Sequence, residues 1–470
     1  MTYSYLKIVL STCMLISASI ANAQTDDVLN LLINKNVISQ NDADSMRAEA
    51  AIQGQQKHVD KVFSIDLEFR PRTEYRQGYG QMSNDTTASA FYTNQRTRIS
   101  FGYQILDKLN FQFSIQDIRT FGKDDPRTNA GTIQVFEAYL EPYITKNFSI
   151  RVGRQRLMYD NQRLFAQNDW RQNANAHDGI NFRYINTKFK TELAGVWNQS
   201  AEATAGTGFF PVDQTGKPIV NYKLLVVNYL NWNINKQFTL TTINCADGFQ
   251  APTNVEKLYT RFTNGGRIEF EHESIYATFS AYYQHGKNNT GQKLNAFYIQ
   301  PELKYLHKNT TVRLGAEIMS GQDATKTSNE ANSFVPLYGV AHRFNGFMDL
   351  YTRFPGDLNY AGLVNPYLFI IQNISKKVNV GFFFHQFYSQ NNFVDSDNNV
   401  IDKNLGFEHD ILFQYKPNNF TTLEVGYSYY LPTESTAIIK KAKVGAEKEW
   451  QQWAYVMLIV KPQLFKHKFN

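Results

Sequence analysis

Four ionisable side chains lie within one short segment of the sequence and could do acid–base chemistry. They are Asp160, Asp169, His177 and Asp178, and a histidine near carboxylates is a common general acid–base set. A hydrolase would also need a nucleophile beside the histidine. The sequence contains no G-x-S-x-G, HExxH or CxxC motif. The segment therefore favours a structural use, as a hydrogen-bonded loop that folds into the interior of the protein and narrows it.

The charged residues of this segment suit such a constriction loop. We expect its aspartates to pair with arginines and Trp170 to pack on the surrounding wall. The candidate constriction residues are Arg154, Arg156, Asp160, Arg163, Asp169, Trp170, His177 and Asp178. Strict alternation from Ile150 would point Arg154 and Arg156 outward, unless a bulge at Gly153 returns them inward. The other histidines are scattered along the chain, so the sequence predicts neither a metal site nor a cofactor.

A second set of basic residues lies on the polar face of several predicted strands. A guanidinium can bind a carboxylate through two hydrogen bonds, which suits carboxylated sugars. These candidates for the lumen and the substrate path are Arg70, Arg72, Arg76, Arg96, Arg98, Arg151 and Arg183. Glutamates such as Glu68, Glu74 and Glu141 share the same face. The arginines could therefore attract anions or form an ion-pair lattice that stiffens the wall, and both readings stay open.

The elements that must position these residues are β-strands. From Ser64 to Arg76 the sequence SIDLEFRPRTEYR alternates apolar and charged residues with a strict period of two. The same alternation recurs in 93–105, 274–284, 310–319 and 377–384. One face of each segment is apolar and the other polar, as in a strand between lipid and a water-filled lumen.

The connections between these strands predict the topology. Eight short polar turns lie at 107–108, 145–147, 186–187, 235–236, 272–273, 307–309, 375–377 and 416–419. Nine longer polar segments lie near 77–91, 120–131, 158–178, 199–219, 246–264, 286–293, 320–364, 389–403 and 432–449. Seventeen connections join 18 strands, with both chain ends on the short-turn side. This predicts an all-β fold, a transmembrane antiparallel barrel of about 18 strands over residues 61–470. A soluble sandwich or propeller could share the alternation.

Composition excludes several other classes of protein. The chain has 470 residues, and 14% of them are aromatic, which is too apolar a composition for an intrinsically disordered chain. The net charge of +6 is a modest excess for this length and does not indicate a nucleic-acid partner. Only one long apolar stretch occurs, at the N-terminus, so a helical membrane protein is not expected.

The N-terminal segment predicts export from the cell. Residues 1–23 have a lysine, an apolar stretch and an Ala-Asn-Ala cleavage site, as in a secretory signal peptide. Residues 24–60 form a short helical periplasmic segment in this interpretation. Within it, residues 26–56 could contact a periplasmic partner or a second copy of the chain, or serve only as a spacer.

Residues 150–184 carry a family resemblance. The elements Gly153-Arg154-Gln155, Arg163-Leu164-Phe165, Asp169-Trp170 and His177-Asp178 stand in a pattern that resembles the alginate-export family of outer-membrane barrels. That family has 18-stranded barrels. The resemblance implies a passive, charge-selective conduit for an anionic polysaccharide or its fragments.

The expected function is therefore a channel, not an enzyme, in the outer membrane of a Gram-negative-type cell. It would contact outer-membrane lipid and admit anionic polysaccharide, oligosaccharide or small solutes. The polar-face arginines, above all Arg70, Arg72, Arg96 and Arg98, would make it favour anions. The alternative is a surface or secreted β-protein that binds or cleaves polysaccharide.

The signal peptide gives a first testable expectation. Cleavage after Ala23 would make Gln24 the first residue of the mature protein. The intact mass of protein extracted from outer membranes should therefore lack residues 1–23. A mass that includes them would contradict export by this route.

Overall fold

The computed structural model describes residues 60–123, 133–213 and 216–469. The predicted signal peptide and, except for Asp60, the predicted helical segment lie outside these ranges. Within them the chain forms strands β1–β20. Their bounds are Lys61–Gln77, Ala90–Ile105, Leu109–Thr120, Gln134–Pro142, Phe148–Gln155, His177–Ile185, Phe189–Trp197, Leu224–Asn233, Phe238–Ala251, Asn254–His272, Ile275–Lys287, Lys293–His307, Thr310–Met319, Glu330–Ala331, Leu363–Asn373, Val378–Ser389, Asn404–Asn418, Thr421–Pro432, Gln451–Val460 and Gln463–Phe469.

The strands close into a barrel. Successive wall strands pair antiparallel, and β13 pairs directly with β15 because the two-residue β14 lies in the connection between them. The last wall strand comprises β19 and β20, which are separated by Lys461 and Pro462. It pairs with β1, with Phe69 opposite Val460. The predicted 18-stranded antiparallel barrel is thus confirmed, and closure satisfies the backbone groups of both edge strands.

The two faces of the wall alternate as the sequence predicts. On β1, Glu68, Arg70 and Arg72 point into the barrel and are buried. On β11, Ile275 and Phe279 point outward and are 43% and 48% exposed. An apolar exterior and a polar interior are the arrangement that a lipid bilayer requires of a barrel.

All eight predicted short turns join neighbouring strands, but one predicted long loop is wrong. Residues 246–251 and 254–264 are strand, because β9 continues to Ala251 and β10 begins at Asn254, which leaves only residues 252 and 253 for the turn. The polar residues of this stretch face the interior, where Arg261 and Asp247 form an ion pair of 2.5 Å. A strand whose interior face is polar can have the composition of a loop, which explains the error.

Helical structure is minor in the described ranges. It consists of one α-helix (α1, Glu434–Ile439) and two 3₁₀ turns, Gly356–Leu358 and Ala446–Lys448. In the part of the chain that the structure describes, no helix has the length and hydropathy needed to span a membrane. The side chains of the functional site are therefore positioned by the wall strands and by the long connections between them.

The face assignment can be tested with two adjacent residues of β2. Phe101 lies on the outward face and stacks on Phe113, whereas Ser100 faces inward and bonds Ser114. Phe101→Arg should lower the free energy of unfolding by about 2–4 kcal/mol, because it places a charge in lipid. Ser100→Arg should cost much less. Urea unfolding in lipid vesicles measures both, and equal costs would contradict the assignment.

Candidate functional site

The connection between β5 and β6, residues 156–176 (loop A), folds into the barrel and is held there by arginines of the wall. Arg70 donates from Nη1 to the carbonyl oxygen of Asp169 at 2.5 Å. Arg72 donates from Nη1 to the carbonyl oxygen of Trp170 at 2.9 Å. Buried guanidinium groups need acceptors for several N–H groups, and the backbone of loop A provides them.

Arg96 is the centre of this attachment and is fully buried. Its guanidinium pairs with Glu68 on β1 and donates to Oδ1 of Asp169 at 2.7 Å. It also donates to the carbonyl oxygen of Gln172 at 3.1 Å. Arg96 therefore joins the wall to loop A through both charge and backbone hydrogen bonds.

Asp169 is the acidic partner on the loop side. Burial raises the pKa of its carboxyl group, but Arg96, Arg70 and neighbouring cations outweigh this effect and lower it to about 2. The carboxylate is thus ionised at neutral pH and stabilised by the arginines around it.

Arg98 completes the set of four arginines on β1 and β2. It donates to Oε1 of Gln116 at 2.7 and 3.0 Å, and Gln116 in turn donates to the carbonyl oxygen of Asn173 at 3.1 Å. All four predicted lumen arginines of these strands face inward, yet none is more than 6% exposed: Arg70, Arg72, Arg96 and Arg98. The geometry gives them a positioning role toward loop A.

Trp170 packs against the wall and against a second loop. Its ring stacks on His342, with centroids 4.1 Å apart and an interplanar angle of 6°. It also meets Trp453 and Tyr455 of β19 edge-on, at 5.5 and 5.2 Å. The guanidinium of Arg72 lies 4.0 Å from the centre of the ring. Trp170 thus fixes loop A from two sides.

That second loop, residues 320–362 (loop B), connects β13 to β15 and also folds inward. The two loops form a short ribbon, in which Phe165 pairs with Tyr338 in a parallel bridge. Tyr338 N donates to the carbonyl of Leu164 at 2.9 Å, and Val340 N donates to the carbonyl of Gln162 at 3.0 Å. Each loop therefore supplies hydrogen-bond partners for the other inside the lumen.

Arg163 anchors the ribbon to the opposite wall. Its Nε donates to Oε1 of Glu317 on β13 at 2.8 Å, and its Nη1 donates to the carbonyl of Val340 at 3.0 Å. Glu317 also accepts from the hydroxyl of Tyr298 at 2.5 Å. With Arg163 only 2% exposed, this pair ties both loops to β13 at one point.

Loop B is docked on β17 by hydrogen bonds from its backbone N–H groups to two carboxyl side chains of that strand. Met348 N donates to Glu408 at 2.7 Å, and Phe347 N donates to Asp410 at 3.3 Å. Gly346 has a φ of 80°, and a Cβ there would lie 2.3 Å from the Glu408 carboxylate. Only glycine fits this close approach, so the position fixes the path of loop B.

Successive residues of the ribbon line cavities on opposite sides. Arg163, Gly339 and Ala341 line an outer cavity of about 420 Å³ toward the long-loop end. Gln162 and Arg343 line two inner cavities of about 650 and 380 Å³ toward the short-turn end. The ribbon therefore divides the lumen into an outer and an inner part.

The remaining predicted wall arginines form ion pairs along the strands. The pairs are Arg76 with Glu74 at 2.8 Å, Arg151 with Glu141 at 2.7 Å, and Arg183 with Glu192 at 3.2 Å and with Glu141. Each acidic partner is at most 6% exposed in its side chain. Arg151 and Arg183 thus pair across strands on the interior face, whereas Arg76 pairs with Glu74 of its own strand, β1.

Arg154 and Arg156 bind different partners: Arg154 binds Asp178 on the neighbouring strand β6, and Arg156 binds Glu137 on β4. The β5–β6 register runs without a shift past Gly153, and Arg154 stands opposite Asp178, to which it donates at 2.7 Å near the long-loop end. Arg156 follows the end of β5 and pairs with the buried Glu137 at 2.9 Å. The chain leaves strand geometry after β5, so Arg156 turns inward without a bulge.

The four residues considered for acid–base chemistry are not brought together. Asp160 accepts from Tyr229 at 2.9 Å, and burial raises the pKa of its carboxyl group. His177 shares a hydrogen bond of 2.6 Å with Tyr222. Asp178 binds Arg154, and Asp169 binds the wall arginines. Among the described residues, these four therefore do not form an assembled acid–base set.

Comparison with known proteins decides the family. The sequence profile described as alginate export matches residues 62–436. The chain belongs to the alginate export family. No curated protein matches the chain significantly.

The fold of this alginate export family member is that of outer-membrane porins. OccAB4 of Acinetobacter baumannii is 14% identical, with a TM-score of 0.55 over 88% of this chain and 99% of that chain. OccAB1 of the same organism is 12% identical, with a TM-score of 0.57 over 86% and 97%. OprD of Pseudomonas aeruginosa is 10% identical, with a TM-score of 0.54 over 86% and 96%. Identities this low establish the fold alone.

Sequence reasoning missed the role of loop B in this family member. It treated residues 320–364 only as the longest external connection. A usable signal was present, because Phe334, Tyr338, Phe347 and Tyr351 are large aromatic residues and an exposed loop rarely carries so many. In the structure all four pack into the interior or against loop A.

The attachment of loop A should depend on pH. The pKa of Asp169 is lowered in the folded protein. The stability that its carboxylate gives to the attached loop is therefore fully present above the ordinary pKa of an aspartate and is lost as pH falls through about 2. Protease cleavage within loop A should therefore increase between about pH 4 and pH 2. Asp169→Asn should show faster cleavage already at neutral pH, assayed with pepsin at low pH and a neutral protease at pH 7. Unchanged cleavage in both cases would contradict this anchoring role.

Proposed function

We propose that this barrel is a passive outer-membrane channel that favours anions, and that it admits charged oligosaccharides or small solutes past loops A and B. The family and the porin fold support a channel. Cavities of about 380–650 Å³ on the inner side suit small molecules or short saccharides more than a wide polymer.

One observation carries the preference for anions. Arg343 on loop B is exposed inside the barrel and lines both inner cavities. Its guanidinium donates to the carbonyl of Asn161, which leaves further N–H groups for a solute. Inside the barrel the surrounding protein partly desolvates this guanidinium, and this effect, together with the nearby Arg313 and Arg163, lowers the pKa of Arg343. An arginine nevertheless remains charged at neutral pH.

The buried wall arginines support this role indirectly. Arg70 and Arg96 hold loop A in place, while Arg343 presents its charge to the space that a solute would cross. In a narrow lumen with low-dielectric walls, even one such charge raises the local anion concentration. We therefore assign the direct effect on selectivity to Arg343 and the positioning of the constriction to the wall arginines.

The proposal predicts a change in ion selectivity. Arg343→Gln should lower the anion-to-cation permeability ratio in planar bilayers by a factor of about two to five at low ionic strength. The effect should shrink in molar salt, where the Debye length is only about 3 Å. Reversal potentials under a salt gradient measure the ratio.

A matched control is Lys376→Gln in the exposed turn between β15 and β16, which removes the same charge outside the lumen. It should leave the ratio unchanged. A cation-selective wild-type pore, or equal effects of the two variants, would refute the proposed role of Arg343. A heat-modifiable shift on unboiled gels checks that each variant is a closed barrel. A wild-type protein that forms no conducting pore would favour the alternative, a surface protein that binds or cleaves polysaccharide.

A further inference from the structure

The interior wall of β15–β19 carries apolar side chains at positions where a water-filled barrel usually has polar ones. Side chains alternate between the two faces of a strand, so these apolar residues share the lumen face with neighbours such as Tyr367, Glu408 and Glu424. They lie in the short-turn half of the barrel. This apolar strip consists of Phe369, Ile371, Phe383, Leu412, Met457 and Ile459.

Loop B covers only part of the apolar strip. The ring of Phe347 lies 5.1 Å from that of Phe383, which lies 5.1 Å from Phe369. Ile371, Phe383, Leu412 and Ile459 nevertheless remain partly exposed, and they line the inner cavities. A partly exposed apolar surface inside a cavity is a typical feature of ligand sites.

Basic groups line the same cavities. Arg343 lines both, and Lys304 and Arg313 line the larger one. Four acidic residues line these cavities, and each already has a partner. Glu302 binds Arg313 at 2.5 Å and Asp169 binds Arg96 at 2.7 Å. Glu424 accepts from Tyr455 at 2.5 Å and Asp160 accepts from Tyr229 at 2.9 Å. The positive charge of Arg343 is therefore not neutralised by a described carboxylate in ion-pair contact.

The outer cavity has a different character. It is lined by Asn168, Asn175 and Asn221 together with Arg171 and Arg163. Amide and guanidinium groups suit a fully hydrated, polar anion. The ribbon of loops A and B thus lies between a polar basic cavity and a basic cavity with an apolar wall.

We propose that the inner cavities form a binding site for small anions that carry an apolar group, such as aryl or alkyl carboxylates. The carboxylate would bind the guanidinium of Arg343, and the apolar group would lie against the strip near Phe383 and Leu412. A uronate has the same charge but presents hydroxyl groups to that wall, which cannot satisfy their hydrogen bonds. This inference refines the solute class of the proposed channel.

The test compares two anions of equal charge on the full-length protein, phenylacetate and glucuronate. Binding to the detergent-solubilised barrel is measured by calorimetry, which does not require conduction. Current block in planar bilayers is measured separately. We expect phenylacetate to bind about tenfold more tightly than glucuronate, because it buries an aromatic group. Equal or weaker binding of phenylacetate would overturn the inference.

Variants show whether the preference for phenylacetate comes from the apolar strip or from a general effect of substitution on the barrel. The double variant Phe383→Ser and Leu412→Ser should reduce phenylacetate affinity to that of glucuronate and leave glucuronate unchanged. The control Phe249→Ser makes the same type of change on β9, outside the inner cavities, and should preserve the preference. Loss of the preference in both variants would show that it does not arise from the strip, and heat-modifiable migration checks that each barrel is folded.

The two proposals fail in different ways. If phenylacetate binds tightly but the pore is not anion-selective, the site exists and the proposed channel selectivity is wrong. If the pore is anion-selective but the strip variants bind phenylacetate like the wild type, the channel proposal stands and this inference is wrong.

Discussion

The need to satisfy buried guanidinium groups constrains the interior of this protein. Arg70, Arg72, Arg96 and Arg98 point from two neighbouring strands into the same region, and their N–H groups exceed what Glu68 can accept. Leaving such charges unpaired in a barrel interior is costly. Loop A meets the need with the carboxylate of Asp169 and a run of backbone carbonyls, so its inward path follows from the charge of the wall.

Loop A then determines where loop B lies. The ribbon between Phe165 and Tyr338 satisfies backbone groups of both loops, and Arg163 ties the ribbon to Glu317 on the far wall. Trp170 and His342 stack where the loops meet β19. The constriction is thus one connected set of contacts, and a change at the β1–β2 arginines should reach loop B through it.

This arrangement separates two uses of arginine. Those on the wall are buried and hold backbone, whereas Arg343 on loop B faces the open cavities. The same side chain serves both uses because a guanidinium keeps its charge when buried and offers several donors. A count of basic residues on the interior face therefore overstates the charge that a solute would meet.

The sequence by itself determined the barrel, its strand number, its two faces and its short turns. Alternation of side chains and turn composition are local properties, so they can be read from a few adjacent residues. The sequence also indicated that aspartates of residues 158–178 would pair with arginines, but not with which ones. Only the tertiary structure decided that residues 246–264 are strand except for the turn at 252–253, that loop B enters the lumen and that Arg343 is exposed there. These features depend on contacts between residues far apart in the chain, such as Arg163 and Glu317, which are 154 residues apart, and no local pattern records which distant groups will meet once the sheet closes.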